Sequence, residues 1–196
     1  MGALLDVYME SKFQQVMSAA CVTELRSLFA ADPDVIILPV GVAEKIGTLQ
    51  FYHSDTTVAS TFSPEWVNGM YKDKFKWEDG ISVEVTTLNA LIGAYGMPVF
   101  CKIDVEGYEA QVLNGLHYAI PALSFEFHQQ NLDQVRACVA RLARIGNYEF
   151  NFADGETFAM SLPAWVTATE LLDILHKIPF PYYRPFWGGD VYARLK

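Results

Sequence analysis

Between Gly2 and Gly41 this 196-residue chain contains no glycine. A backbone that must approach a ligand closely needs residues without a Cβ, so no glycine-lined ligand loop is expected there. Cysteine is scarce as well: Cys21, Cys101 and Cys138 are odd in number, lie far apart and form no C-x-x-C pair. That pattern excludes a disulfide framework or a zinc ribbon and predicts buried thiols in a reducing compartment. Positive charge is in short supply, with 14 basic residues against 23 acidic, a net charge of -9 and a pI near 4.8. Such a balance repels phosphate backbones and anionic lipid surfaces, so neither nucleic acid nor a membrane is an expected partner. Long hydrophobic runs are missing too. Leu88–Cys101 is broken by Gly93, Gly96 and Pro98 and is too short to span a bilayer. Met1–Ser11 lacks the basic-then-apolar pattern of a secretory leader, and the expected location is cytoplasmic.

What is present is a core. A hydrophobic fraction of 52% is far above that of chains unable to fold, and a chain of this length buries roughly 70% of its unfolded surface. One α/β domain over residues 1–196 is expected, because short apolar runs alternate with helical periods. Val35–Val40 is apolar on both faces and reads as a buried parallel strand. Thr48–Tyr52, Val99–Asp104, Ala122–Phe127, Tyr148–Phe152 and Asp190–Leu195 read as further strands. Thr86 or Thr87 caps a helix bearing Leu88, Leu91, Ile92 and Tyr95, and Tyr108–Tyr118 forms the next helix. Asn131 with Gln134, and Thr167 with Glu170, resemble capping boxes for two more. Leu4–Phe29 has no turn residue and reads as a helix, with Phe13–Met17 as an alternative short strand.

Chemistry concentrates in Lys102-Ile103-Asp104-Val105-Glu106-Gly107-Tyr108-Glu109. Alternate residues of a strand share a face, so Lys102, Asp104 and Glu106 project together while Ile103 and Val105 pack inward. Acids at a strand's carboxyl end, where the chain turns into a helix, sit where open α/β sheets bind ligands; they also favour the dipole of the next helix. His128, two residues after Glu126 at another strand end, can line the same cleft. Asp104, Glu106, Glu126 and His128 together would suit a hard divalent metal, but spacing does not establish that geometry, and no metal is expected. His53, His117 and His176 have no carboxylate or cysteine at ligand spacing. Phe180, Pro181, Tyr182, Tyr183, Pro185, Phe186 and Trp187 form an aromatic loop that covers either the sheet's flank or a substrate.

Val85-Thr86-Thr87-Leu88, the run Phe100–Glu109 and Val112-Leu113-Asn114-Gly115-Leu116 together resemble the signature of FkbM-family methyltransferases. The likeness extends through Leu123–Phe127, Gly189–Leu195, Val35–Gly47 and Ser60–Trp66, covering roughly residues 20 to 196. The resemblance implies a Rossmann-like, mostly parallel sheet with an antiparallel last strand. It also implies S-adenosylmethionine as cofactor and a hydroxyl of a small molecule or sugar as methyl acceptor. On that reading Asp104 or Glu106 is the base or the acceptor-orienting carboxylate, with His128 as second choice.

The family resembles other Rossmann-like methyltransferases in opening with a strand, a glycine-rich loop and a second strand ending in an acid for the cofactor ribose. Here neither the glycines nor an acid near Val16–Ser18 is found. The chain is therefore expected to be truncated relative to the family pattern, lacking the first strands. The exposed sheet edge would be covered by residues 4–29 or paired in a homodimer. A non-catalytic remnant acting as a binding module is the competing expectation. Each missing charge-assisted contact is worth about 1.5–3 kcal/mol, so losing two or three weakens cofactor binding by roughly a hundredfold or more. Calorimetric titration of the chain with S-adenosylmethionine is expected to give a dissociation constant no tighter than submillimolar; a micromolar value would show that the glycine-free start rebuilds the pocket.

Overall fold

The computed structural model describes residues 4–8, 19–55, 60–69, 71–155, 157, 159–178 and 188–196. In chain order the elements are β1 Leu4–Tyr8, α1 Ala19–Leu28, β2 Gly41–Val42, β3 Gly47–Phe51, α2 Pro64–Asn68, β4 Ile81–Thr86 and α3 Leu88–Tyr95. They continue with β5 Phe100–Asp104, α4 Glu109–Asn114, β6 Ala122–His128, α5 Leu132–Ile145, β7 Tyr148–Asp154, α6 Ala168–Lys177 and β8 Gly188–Leu195. The class is mixed α/β, with two sheets in place of the one expected. The larger runs β1-β5-β6-β8-β7 and the smaller β2-β4-β3.

Four of the five strands of the larger sheet, β1, β5, β6 and β7, run in the same direction. β1 and β6 flank β5 in parallel, whereas β8 runs antiparallel to both β6 and β7. The mostly parallel sheet with an antiparallel last strand is as expected, since β8 alone opposes the others; the smaller sheet is mixed, with β4 parallel to β2 and antiparallel to β3. β8 enters between β6 and β7, so its Val191 and Ala193 are completely covered.

The start of the chain differs most from expectation. Leu4–Tyr8 is a strand, not a helix, and pairs along the whole of β5, from Leu4 with Phe100 to Tyr8 with Asp104. The run Leu-Leu-Asp-Val-Tyr suits a strand as well as a helix, and an open β5 edge decides the matter by offering unpaired backbone groups. That edge, on which the expectation of a homodimer rested, is occupied by β1. Phe13–Met17, Val16–Ser18 and the aromatic loop Phe180–Trp187 lie outside the described residues.

Val35–Val40 forms no strand. Ile36 is 61% exposed, and sheet pairing begins only at Gly41. Pro39 has no N–H to give to a ladder, which explains why an apolar run stops short of one. β4, by contrast, was not expected, although Val83 and Val85 alternate with exposed residues as in any half-buried strand.

Helices α4, α5 and α6 bury Val112 and Leu113, Val135, Cys138, Val139 and Leu142, and Leu171 and Leu175 respectively. These residues spaced three and four apart share one core cluster with Ile103, Leu123, Phe125 and Val191 of the larger sheet and Val83 and Val85 of the smaller. α4 stops at Asn114, four residues short of the expected end, where Gly115 lies so close to the Ala43 carbonyl that a Cβ would not fit. Thr167 and Glu170 form both arms of the expected capping box. Among the described residues no helix is long and apolar enough to cross a membrane.

Candidate active site

Strand alternation sorts the larger sheet into two unlike faces. Cys101 and Ile103 of β5 and Leu123, Phe125 and Phe127 of β6 are buried on the face that α4, α5 and α6 cover. Their neighbours Lys102, Asp104, Ser124, Glu126 and His128 point the other way. Register then aligns Lys102 with Ser124 and Glu126 with Asp190, so the polar face is continuous over three strands. Lys102 Nζ spans it, 3.0 Å from Asp104 Oδ2 and 3.1 Å from Asp190 Oδ1. The residue it passes, Ser124, is small. Burial would lower the Lys102 ammonium, but the two aspartates outweigh it and hold the group above its ordinary value. Asp104 is pushed up to about 6, first by burial and then by Glu126, with Lys102 pulling against both.

Past Asp104 the chain reverses through two successive left-handed residues, Glu106 at φ 50° and Gly107 at φ 85°. A non-glycine residue in that region is held only where its surroundings demand it, and three groups do so. Thr61 Oγ1 donates to the Glu106 carbonyl at 2.7 Å and accepts from the Ser63 N–H at 2.9 Å. The Trp66 indole lies so close to Gly107 that any Cβ would overlap it. Glu109 Oε1 accepts from the N–H groups of Val105 and Gly107, both at 3.2 Å.

Glu109 is 2% exposed, and its second oxygen accepts from Gln134 Nε2 at 2.6 Å. Gln134 Oε1 in turn accepts from Asn131 Nδ2 at 2.9 Å. The pair read as a capping box thus makes no cap; it braces the β5–α4 turn from the start of α5. Burial, and after it the Glu126 carboxylate, push Glu109 up to about 8, against the pull of its backbone donors.

His128 closes the cluster. Its Nε2 lies 3.3 Å from Glu126 Oε2, and its ring meets Trp66 edge-on, centroids 5.2 Å apart. Trp66 packs against Tyr71 at 4.5 Å. Burial alone would lower the imidazole, but Glu126 beside it, with Glu109 and Asp104 further away, raises it. Tyr71 is raised by burial and then by Glu106 and Glu126. Donor atoms of Glu106, Glu126 and His128 all lie within 4.8 Å of one another, while Asp104 is drawn aside to Lys102. Every residue predicted for the site therefore reaches one region. His117 and His176 are exposed and His53 packs on Phe51, away from it.

A family model, the methyltransferase FkbM domain, matches residues 18–175. The chain belongs to the FkbM methyltransferase family. Comparison with curated proteins and with solved structures found no match. The FkbM match includes the segment Thr61–Trp66, whose part sequence reasoning had not seen: it holds the turn that carries Glu106. Gln134 and Asp190 were likewise missed as supports, because each acts from a distant position in sequence; Glu109, only two residues past Gly107, was read as part of the motif and not as its brace.

Two consequences can be measured. Gly107→Ala is expected to lower the melting temperature by several degrees and to shift Trp66 fluorescence, since the new methyl meets both a forbidden φ and the indole. Adding Trp66→Ala should restore part of the loss; a double variant showing the sum of the two single losses would refute the contact. Glu109 ionises near its ordinary 4.5 when unfolded and near 8 when folded. The folded state therefore binds more protons between those values, and the wild type loses stability as pH rises through them. Glutamine cannot ionise, so the melting temperature of Glu109→Gln relative to wild type should become more favourable from pH 5 to pH 8. A difference independent of pH would remove the assignment.

Proposed function

We propose that the protein transfers a methyl group from S-adenosylmethionine to a hydroxyl oxygen of a small molecule, with Asp104 as the base. The observation that carries this reading is the collection of carboxylates at the carboxyl ends of the parallel strands β5 and β6. Ligands of open α/β sheets bind at such ends, and membership of a methyltransferase family says what class of reaction to look for. The order β1-β5-β6-β8-β7, with β8 antiparallel, supports a Rossmann-like methyltransferase arrangement for the larger sheet.

The residues present suit a cationic cofactor on charge. Asp104, Glu106, Glu126 and Asp190 face a region whose nearby cation, Lys102, is already engaged by two of them. Such a field favours a sulfonium. When bound, S-adenosylmethionine supplies an electrophilic methyl carbon on a positively charged sulfur. The chain's own part is to orient the acceptor hydroxyl in line with that carbon and to take its proton. The hydroxyl would pass its proton to Asp104 as its oxygen took the methyl group, with the carbon–sulfur electrons left on the departing thioether. Asp104 stands on a rigid strand and is fixed by Lys102, as a base needs to be. Glu106, Glu126 and His128, gathered at the same end of the sheet, orient the acceptor.

The glycine-free start supports the remnant reading, because it leaves no backbone approach of the usual kind for the cofactor. Turnover separates the two. With an acceptor that the wild type methylates, Asp104→Asn is expected to lower kcat by about 10²–10⁴-fold, with little change in KM. Unchanged turnover would sink the role of Asp104, and absence of methylation across hydroxylated acceptors in the wild type would favour the remnant.

A further inference from the structure

The cluster opposite Asp104 has a property that orienting an acceptor does not explain. Glu126 Oε2 and both ring nitrogens of His128 are sealed from solvent, and none of the three takes part in a hydrogen bond. Glu126 Oε2 and His128 Nε2 face each other at 3.3 Å, an ion pair when the imidazole is protonated. Buried polar atoms are ordinarily hydrogen-bonded, and a sealed carboxylate–imidazole pair with no hydrogen bond to the rest of the protein invites a shared partner. Glu106 adds a third donor, so two carboxylates and one imidazole from the β5–α4 turn and the end of β6 surround one point, all three side chains half-buried.

We propose that Glu106, Glu126 and His128 bind one first-row divalent cation of the Mn²⁺-to-Zn²⁺ class. Two oxygens and an imidazole nitrogen make a mixed donor set that such ions accept, whereas Mg²⁺ and Ca²⁺ prefer oxygen alone. Bonds of about 2.0–2.2 Å place adjacent donors roughly 3–3.5 Å apart. The present spread of up to 4.8 Å closes by rotation of the two long glutamate side chains. The frame beneath them is already fixed: Thr61 holds the Glu106 carbonyl and Trp66 buttresses the His128 ring. The Trp66 ring, itself packed on Tyr71, flanks the imidazole. Three protein donors leave coordination positions open. An acceptor hydroxyl at one of these would lose its proton more readily, a consequence that rests on the methyl-transfer reading, whereas the metal site does not.

The test is titration of the metal-free, full-length chain with Mn²⁺, followed by electron paramagnetic resonance and pulsed detection of nitrogen coupling. One Mn²⁺ per chain is expected, with coupling from a single imidazole, displaced by Zn²⁺ and not by equimolar Mg²⁺ or Ca²⁺. Glu126→Gln should weaken binding at least about tenfold and keep the nitrogen signal; His128→Ala should weaken it comparably and abolish that signal. Melting curves in chelator confirm that both variants are folded, and His128→Gln replaces any that is not. No saturable binding at millimolar Mn²⁺, or binding without nitrogen coupling, overturns the proposal; so does coupling that survives His128→Ala. None of these readouts involves turnover, so a failure to methylate leaves the result intact.

Discussion

The left-handed pair Glu106-Gly107 is the constraint on which the polar end of the larger sheet depends. Two consecutive residues with positive φ turn the chain sharply enough to bring Glu106 back over the end of β6, and such a turn does not persist unaided. Its supports come from three separate places: Thr61 and Trp66 before β4, Glu109 just after the turn, and Gln134 at the start of α5. Thr61, Trp66 and Glu109 each satisfy or crowd a different backbone group and Gln134 fixes Glu109, so the turn is over-determined. The smaller sheet matters here mainly as the scaffold behind Thr61 and Trp66, since Tyr52 at the end of β3 bridges to Thr61.

A second demand follows from the polar face. Charged groups on a partly buried sheet must find counter-charges or lose their ionisation. Lys102 meets that demand for Asp104 and Asp190 by reaching across β6, and the small Ser124 in register with it clears the way. Glu126 has His128 beside it instead, at 3.3 Å.

Local signals in the sequence were legible where local physics decides. The alternation around Asp104, the Thr167–Glu170 cap and the helical stripes of α5 and α6 all follow from neighbours within a turn or a few strand positions. Where a distant partner decides, the sequence misleads. Leu4–Tyr8 takes strand form because β5 offers an edge, and Val35–Val40 forfeits it because Pro39 cannot join a ladder. Asn131 and Gln134 have the spacing of a cap, but a buried Glu109 recruits Gln134 instead. The chemistry of Glu106, Glu126 and His128 was readable as residue types, whereas their convergence needed the turn geometry.

The placement of β8 sets the order in which the sheet is assembled. It lies between β6 and β7 in space yet follows both in the chain. While the polypeptide is being made, β6 and β7 therefore have no strand to join them, and two hydrogen-bonding edges stay open until the residues of β8 arrive. Pairing that spans such distances in sequence is slow and leaves edges available to other chains. β1 faces the same delay from the opposite direction: it is made early and must wait for β5. Until β8 is inserted, the edges of β6 and β7 are therefore the ones open to pairing with another chain.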